Sequence, residues 1–517
     1  IELDDVRIGP RPGEPGNFLA VPRMMLRFRL VPLLIDLLRG RGPTSSLSTV
    51  ELDHPHLILA RDAKAHWNFP EFPPPRQHGP GLAAFTGTIE LREATVVFSD
   101  SWEKPTPFVA HFERVTGTIS WEHTPQLRAD LDAVHTDGRT PALIHVAGTA
   151  LPSAELADLT LTLRGASTAY WGWYVAPIDR LQWVGGTVDG ELHVLLSRWG
   201  TETVGDYRGR LQLHEGRALL LPQRVALSEI EGPVVVENTR AMTDGLTLTV
   251  ERSPVWLRGE VTHVGGPRVD LAVRSASLDL TTLRRLVSPA TGLQISGRAG
   301  GEVRVSGSEA SLLVEGRVTD AAGRVNGQKF SSLSTEVQYY GGVLVLHDAT
   351  VGVGGGQARG YARIALPTRE VFVLADLDRV GAYVADDGGL TAIPLQGPTS
   401  GFVALSGTPQ ALVGQARLSL TQGMIAGLAI DRADMIVGFD HGTVQLDRFE
   451  ARSGPALVHA RGTVVQEGPV DLTVVATDLN LRSLGAQVGP PGWLAGTADL
   501  VGRVAGTAES PVLSGQL

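Results

Sequence analysis

Apolar and polar residues alternate along most of this chain, in short runs that glycine, serine, asparagine and aspartate interrupt. Residues 297–346 show the pattern most clearly. Within them, residues 302–305 read EVRV, so both valines fall on one face of a strand and both charges on the other. Gly341 and Gly342 directly precede another apolar run, as in a hairpin turn. The pattern predicts an antiparallel sheet with one apolar and one polar face.

The alternation is organised in units of about 100 residues, which is self-similarity at a fixed interval. Units that open on a glycine and a short strand begin at Gly185, Gly297, Gly397 and Gly496. The first three close on similar phrases, ASLDLTTLRRL, ADLDRVGAYV and TDLNLRSLGA, which predict a strand followed by one helical turn. The chain is therefore divided into an N-terminal module 1–75, a first β-segment 76–184, three β-repeats 185–296, 297–396 and 397–495, and the start of a fourth repeat 496–517.

Two short stretches depart from the strand pattern. Residues 31–38 predict one or two helical turns that end at Gly40. Residues 166–183 hold three tryptophans and two tyrosines in a chain with only 6% aromatic residues. They predict a local cap that packs on the sheet edge, with an aromatic patch for a lipid or protein partner as the alternative.

The apolar face of such a sheet needs a cover, and the repeats contain no amphipathic helix of even three turns. The cover is then a second sheet, closure of the sheet on itself, or a non-protein ligand. One strand per about 12 residues gives on the order of 40 strands. At about 4.8 Å each, a single sheet would extend to roughly 190 Å and must curl or close. We predict a mostly all-β fold with few short helices, an elongated repetitive antiparallel sheet curled into a trough with an apolar interior.

Composition narrows the function. The 517 residues are 43% hydrophobic, and 61 glycines favour β-structure with many turns. A net charge of −10 without any block of lysine or arginine argues against nucleic-acid binding. The absence of cysteine excludes disulfides, thiol catalysis and cysteine-ligated metal sites. No signal peptide or apolar span is visible, and the chain opens and closes inside strand patterns, so we expect it to be a piece of a longer protein.

No residue pattern typical of catalysis stands out, and we predict no enzyme, no metal and no cofactor. His54 and His56 have no third ligand beside them, and we interpret them as surface residues. Residues 352–360 (GVGGGQARG) lack the lysine and the helix of a phosphate loop and predict a strand crossover or bulge. Residues 386–389 (DDGG) predict a turn rather than a calcium loop. The chain contains no Gly-x-Ser-x-Gly elbow and no marked pair of carboxylates.

The first 70 or so residues resemble a known family. IELDDVRIGP, FLAVPRMMLRF, LLIDLLRG and VELDHPHLILARDAKAHWNFP follow the order found in the amino-terminal region of the AsmA-like superfamily, which includes the TamB-type envelope proteins. Ala65 and His66 stand where a glycine usually precedes the tryptophan. The downstream repeats also resemble this superfamily. The resemblance implies a curled β-sheet with an apolar groove, anchored in the inner membrane and reaching toward the outer membrane.

An apolar trough suits acyl chains. Exposing the about 30 methylenes of a phospholipid to water costs roughly 24 kcal/mol, at about 0.8 kcal/mol each, and a groove removes most of that cost. We predict non-enzymatic phospholipid binding and transport in the periplasm, between the inner and outer membranes. The inner-membrane anchor and an outer-membrane partner would lie outside this chain, and no nucleic acid is involved. The predicted groove lining is Val303, Val305, Val337, Tyr339, Val403, Leu405, Leu446, Leu472 and Val474.

Other functions stay open on the sequence alone. The sheet edges of a scaffold for outer-membrane protein assembly would pair with client strands. A structural β-solenoid or adhesin would have a dry, closed core, and each lining residue would then belong to ordinary core packing between opposed walls. A polysaccharide-acting enzyme on a β-helix is the last alternative, although no acid/base pair is visible.

Overall fold

The computed structural model describes most of the chain. The described residues are 1–10, 16–38, 46–64, 66–68, 85–102, 106–123, 125–138, 140–151, 154–175, 181–197, 204–263, 267–287, 294–325, 327–381, 395–408, 411–425, 428–465, 468–481, 495–507 and 511–516. They form thirty β-strands, three α-helices and one 3-10 turn. The chain divides into unit 1, Ile1–Glu251 with Trp256–Pro267, and unit 2, Arg252–Val255 with Arg268–Leu517. The prediction of a mostly all-β, antiparallel fold with few short helices is confirmed.

Unit 1 begins with a mixed sheet and continues as an antiparallel meander. Its elements are β1 (Glu2–Ile8), β2 (Leu19–Phe28), α1 (Leu30–Leu38), β3 (Leu47–Asp53), β4 (His56–Arg61), β5 (Thr88–Asp100), β6 (Phe108–His123), β7 (Gln126–His135), β8 (Ala142–Leu151), β9 (Leu156–Ser167), α2 (Thr168–Val175), β10 (Leu181–Ser197), β11 (Val204–Leu220), β12 (Val225–Glu237), β13 (Arg240–Val250) and β14 (Ser253–Thr262), whose first three residues count with unit 2. β2 is antiparallel to β1, β3 and β4. β3 and β4 lie end to end along β5 and run parallel to it. From β5 to β13 each strand pairs with the next.

Unit 2 is an antiparallel meander with one short helix near its start. Its elements are β15 (Arg268–Asp279), α3 (Leu280–Val287), β16 (Ile295–Ser308), a 3-10 turn (Glu309–Ser311), β17 (Leu313–Val325), β18 (Gln328–Tyr340), β19 (Val343–Val353), β20 (Gly356–Ala365), β21 (Glu370–Gly381), β22 (Leu395–Gln396), β23 (Pro398–Thr408), β24 (Ala411–Ile425), β25 (Leu428–Asp440), β26 (Thr443–Ser453), β27 (Ala456–Val465), β28 (Pro469–Asn480), β29 (Thr497–Thr507) and β30 (Pro511–Gln516). Each strand pairs with the next, except that β21 pairs with β23, and β22 continues β23 along β24.

The turns partly match the sequence expectations. Gly341 and Gly342 connect β18 to β19 with φ angles of 53° and 80°, the left-handed conformation that a two-residue hairpin turn requires. Gly354 and Gly355 connect β19 to β20 in the same way, with φ angles of 55° and 85°. The prediction of a strand crossover or bulge over 352–360 is therefore wrong, because the glycine pair reverses the chain. Residues 386–389 lie outside the described residues.

Many strands are bent by a bulge near their middle. The pairing of β17 with β18 shifts between Val318 and Ala321, where Asp320 has a φ of 50°. Bulges bend the strand and increase its local twist. Other residues that combine a positive φ with a shift in pairing are Glu93, Arg114, Glu215 and Glu229 in unit 1 and Ser332, Asp348, Arg379 and Asp478 in unit 2.

The hydrophobic cores of unit 2 lie at these bends. Val318 and Ala321 flank the bulge at Asp320, yet both belong to one cluster with Leu280 and Ala299. In a regular strand, residues three apart would point to opposite faces. A second cluster comprises Leu420, Ile425, Ile430, Ala433 and Ala451, with Met435, Phe449 and Val458 packed against it. The bulge thus keeps the apolar residues of both strand halves on the same side.

The aromatic stretch that interrupts the pattern forms α2 in unit 1. Tyr170, Trp171 and Tyr174 pack around Phe108, with ring centroids 5.2, 5.1 and 4.2 Å from it. Phe108 is 2% exposed. Among the described residues of the chain, none of the helices has the length and hydropathy needed to cross a bilayer.

Candidate apolar binding face

The nine predicted lining residues lie on one face of the sheet of unit 2. Opposed residues of an antiparallel pair project from the same face, and so do residues two apart along one strand. One row of opposed residues, from β16 to β26, is Val303, Gly316, Val337, Leu346, Ala362, Val373, Leu405, Gly414, Phe439 and Val444. A second row, from β23 to β29, is Val403, Ala416, Val437, Leu446, Gly462, Leu472 and Val504. Val305, Tyr339 and Val474 lie two residues from members of these rows, on the same strands.

All nine side chains are half-buried. They differ in this from the residues at the bends, where Leu420 and Ala433 have 0% exposure. The lining residues are therefore neither fully packed core nor open surface. The structure brings them together on one face, and their role as a lipid lining stays a prediction.

Glycines lie opposite aliphatic residues on this face. Gly316 faces Val303, and Gly414 faces Leu405. Gly462 faces both Leu446 and Leu472. Because glycine has no side chain, the neighbouring strand lies close to each of these positions, and the aliphatic residue opposite faces no side chain there.

These mid-strand glycines are required by the backbone. Gly414 has a φ of +147°, and a Cβ there would lie 2.0 Å from the carbonyl oxygen of Ala404. Gly462 has a φ of +144°, and a Cβ would lie 2.0 Å from the carbonyl oxygen of Asp471. A side chain at either position would force the two strands apart. The high glycine content predicts turns, but the structure also uses glycine within strands.

Unit 1 carries a similar apolar face, which the sequence analysis did not single out. Its main row, from β6 to β12, is Gly117, Leu131, Val146, Leu161, Leu192, Gly209 and Val236. Glycine again lies beside leucine, at Gly117 and Gly209. Residues 157–163 (ADLTLTL) show the same apolar and polar alternation as the strands of unit 2 that carry the predicted lining residues. This alternation could have predicted the unit 1 face.

Helix α2 covers one part of the unit 1 face. His135 lies four residues after Leu131 on β7 and therefore projects from the same face. Its ring lies 4.9 Å from that of Tyr170 and 5.2 Å from that of Trp171, and the residue is fully buried. Neither ring nitrogen has a hydrogen-bond partner, and Nε2 lies 3.4 Å from the carboxylate of Asp137. Burial lowers the pKa of His135.

A buried ion pair fixes α2 to the sheet. Arg61 donates two hydrogen bonds to Asp100, of 2.9 and 2.5 Å, and the Tyr174 hydroxyl on α2 donates a third of 2.7 Å. The N–H of Trp102 donates a fourth, of 3.0 Å. Burial alone would raise the pKa of Asp100, but these hydrogen bonds outweigh it and lower the pKa below its usual range. This network stabilises the packing of α2 on the sheet, and the Asp100 carboxylate is fully engaged in hydrogen bonds.

The opposite face of unit 2 is exposed and carries ion pairs together with apolar side chains such as Phe372 and Phe402. Arg304 bonds Asp270 at 2.7 and 2.6 Å, and Arg503 bonds Asp471 at 2.6 and 2.5 Å. The hydrogen bonds from Arg304 lower the pKa of Asp270. Such solvated pairs are typical of an outer surface, so the two faces differ in their exposure and in their ion pairs.

The described part of the chain contains no candidate metal site. There, no group of three or more histidine, aspartate or glutamate residues could hold an ion. His54 is exposed at the bend between β3 and β4 and contacts Asp53 at 2.9 Å. The apolar faces therefore offer mainly dispersion and hydrophobic contact to a ligand.

No protein-family model, no curated protein and no solved structure matches this chain. The resemblance of its first 70 or so residues to the AsmA-like superfamily accordingly remains a prediction from the residues quoted above.

Proposed function

We propose that this protein binds phospholipid acyl chains along the apolar face of its sheet and transports phospholipids between two membranes without catalysis. The observation that supports this is the continuous row of half-buried apolar residues in unit 2. It crosses the pairings from β16 to β29, about a dozen steps of about 4.8 Å, or roughly 60 Å. An acyl chain fills half of a hydrocarbon core of about 30 Å, or roughly 15 Å, so the row is several acyl chains long.

The energetic argument concerns the methylenes of the lipid. Each methylene that leaves water contributes about 0.8 kcal/mol, so about twelve in contact with the face contribute roughly 10 kcal/mol. This exceeds the lower estimates, of about 4 kcal/mol, for the loss of translational and rotational freedom on binding. Glycine lies opposite Val303 and Leu405, so no facing side chain separates these aliphatic residues from a flexible chain. The face needs no catalytic residue for this role.

The proposed setting comes from the AsmA-like resemblance. It is the periplasm of a bacterium with two membranes, with a tether to the inner membrane and an outer-membrane partner contributed outside this chain. The alternative is a scaffold for outer-membrane protein assembly, in which the sheet binds client strands instead of lipid.

The test is native mass spectrometry with lipid extraction on the purified chain. Leu472→Asp introduces a charge on the apolar face, and Thr473→Asp is its matched control. Thr473 is exposed on the opposite face, between Arg461 and Arg503 on the neighbouring strands. We expect co-purified phospholipid in the wild type, a loss of it in Leu472→Asp, and no change in Thr473→Asp. Val305→Asp and Leu405→Asp extend the test along the row.

Circular dichroism confirms that each variant is folded before its lipid content is compared. A folded wild-type chain that stays lipid-free after incubation with liposomes would contradict the proposal and favour the protein scaffold. Equal lipid content in the two variants at 472 and 473 would also contradict it, because the apolar face would then not be the binding surface.

A further inference from the structure

Helix α1 is the most exposed apolar element among the described residues. It comprises Leu30–Leu38 and connects β2 to β3. Its five protruding side chains are Leu30, Val31, Leu34, Ile35 and Leu38, which are 74, 68, 59, 42 and 88% exposed. Monomeric soluble surfaces rarely present such a continuous apolar patch without a partner. The exposure calls for an occupant outside the described residues.

The five side chains form one ridge along the helix. At 3.6 residues per turn, or 100° per residue, they fall within an arc of about 140°. Leu33 lies outside this arc and is half-buried. The ridge is convex and points away from the sheet, so it suits insertion into a soft apolar phase.

The positive charge of the residues near the ridge favours contact with anionic phospholipid headgroups. In the sequence, Arg29 precedes the helix, Arg39 and Arg41 follow it, and Asp36 is the only acidic residue from 27 to 46. Arg27 also precedes the helix but is paired with Glu51 at 2.7 Å. This short segment is therefore cationic, while the whole chain has a net charge of −10. Arg29 is exposed. Basic residues beside an exposed apolar ridge are the signature of a helix that lies in the interface of a membrane with anionic lipids.

The length of α1 sets the mode of contact. Nine residues at 1.5 Å each give about 14 Å, which is too short to cross a hydrocarbon core of about 30 Å. We propose that α1 is a membrane-docking element that inserts its apolar ridge into one leaflet of a phospholipid bilayer. The inference deepens the proposed function, because it places unit 1 against a membrane that supplies or receives lipid.

The direct test uses the absence of cysteine in the chain. Leu34→Cys, labelled with an environment-sensitive fluorophore, reports on the ridge. Val501→Cys is its matched control, because Val501 on β29 has the same 59% exposure and lies in unit 2, on the face that carries Arg503. With vesicles of phosphatidylethanolamine and phosphatidylglycerol, we expect a blue shift and a several-fold gain in emission at 34 and no change at 501. An unchanged emission at 34 would overturn the inference.

A second pair of variants measures how much the ridge contributes to binding. In vesicle flotation, Leu34→Asp with Leu38→Asp is expected to weaken partitioning at least tenfold, and Val501→Asp to change it less than twofold. Neutral phosphatidylcholine vesicles should bind more weakly than anionic ones, and added salt should reduce the difference. Wild-type binding in the double variant would overturn the inference. So would a wild-type dimer that the double variant dissociates without any loss of flotation, since the ridge would then contact a second copy.

The lipid content of the same proteins separates the two proposals. If the double variant keeps its co-purified phospholipid but loses flotation, docking and groove binding are distinct, and both stand. If all proteins are lipid-free yet flotation depends on α1, the proposed transport fails and the docking element stands. If lipid is present but flotation does not depend on α1, only the docking inference fails.

Discussion

The buried ion pair of unit 1 allows a quantitative test of the fold. The side chain of Asp100 is 1% exposed and that of Arg61 is 12% exposed. Removing the carboxylate in Asp100→Ala leaves the guanidinium buried without its partner, and the Tyr174 hydroxyl loses its acceptor. Breaking a buried pair on one side costs about 3–5 kcal/mol, because the remaining charge stays desolvated. We expect a loss of that size in the free energy of unfolding of unit 1.

The chain offers a matched control for this substitution. Asp471 receives the same two-pronged hydrogen bonds from Arg503, at 2.6 and 2.5 Å. Its side chain is 49% exposed and that of Arg503 is 63% exposed. Water replaces the lost partner there, so Asp471→Ala should change stability far less than Asp100→Ala. The two carboxylates share the same contact with arginine and differ in burial and in the further hydrogen bonds that Asp100 accepts from Tyr174 and Trp102.

Urea unfolding is the assay, followed by circular dichroism for both variants and by tryptophan fluorescence for Asp100→Ala. The Arg61 guanidinium lies 4.6 Å from the ring centroid of Trp102 and 5.4 Å from that of Trp67, so the signal reports on the site itself. Equal losses for Asp100→Ala and Asp471→Ala would refute the reasoning. The double variant Arg61→Met with Asp100→Leu should recover part of the loss, because no unpaired charge then remains buried.

The same pair has a defined pH dependence. The folded-state pKa of Asp100 is lowered, so its stabilising contribution is present above the unfolded value of about 3.9 and is lost as the pH falls below it. The stability difference between the wild type and Asp100→Ala should therefore be constant near neutral pH and should shrink below about pH 4. A difference that shrinks between pH 7 and 5 would point to another group.

Three other perturbations test separate parts of the structure. Burial lowers the pKa of His135, so unit 1 should lose stability as the pH falls below about 6.5, and thermal melts at pH 5 and 7.5 should show a smaller loss in His135→Phe. Gly414→Ala should destabilise by more than about 1 kcal/mol, whereas Gly438→Ala, whose Cβ would meet nothing closer than 3.7 Å, should have a smaller effect in urea unfolding. Gly341→Asn should keep or slightly raise the melting temperature, because asparagine tolerates the left-handed turn conformation.

The sequence predicted the faces of the strands well, for a physical reason. Side chains along a strand alternate between its two faces. As long as the strand is regular, odd-numbered residues therefore lie on one face and even-numbered residues on the other. Val303 and Val305 follow the shift between Arg298 and Gly300 on β16, and Val337 and Tyr339 follow the shifts around Ser332 on β18, so both pairs lie in regular stretches. The alternation of the sequence is therefore enough to predict that these residues share a face.

The bulges themselves escaped prediction. Asp320 and Ser332 adopt positive φ angles of 50° and 52°, a conformation for which glycine or asparagine is the usual signal. Neither residue marks a bend in the sequence. Missing the bulges also led to an overestimate of the strand number, because strands such as Val204–Leu220 continue through their bend for 17 residues. The predicted total of about 40 strands compares with thirty among the described residues.

The buried ion pair of Arg61 and Asp100 could not be predicted from the sequence, for a different reason. Arg61 and Asp100 are 39 residues apart, and Asp100 and Tyr174 are 74 apart. Local periodicity carries no information on such contacts, which depend on the parallel pairing of β4 with β5. Parallel strands need a long connection, and nothing in the local pattern of β4 showed that its partner would follow after 26 residues instead of in a hairpin.

The bends bear on whether the apolar face is open or closed. In a closed solenoid, the residues along the face would be as buried as those at the bends. Ala433 and Ala321 at the bends are 0 and 1% exposed, whereas Val303 and Leu472 away from them are half-buried. The bulges gather apolar residues from both halves of a strand into compact clusters, whereas the described residues along the rest of the apolar face are only partly buried. This division of the face into a packed strip and a half-buried one supports the proposed groove over a dry core.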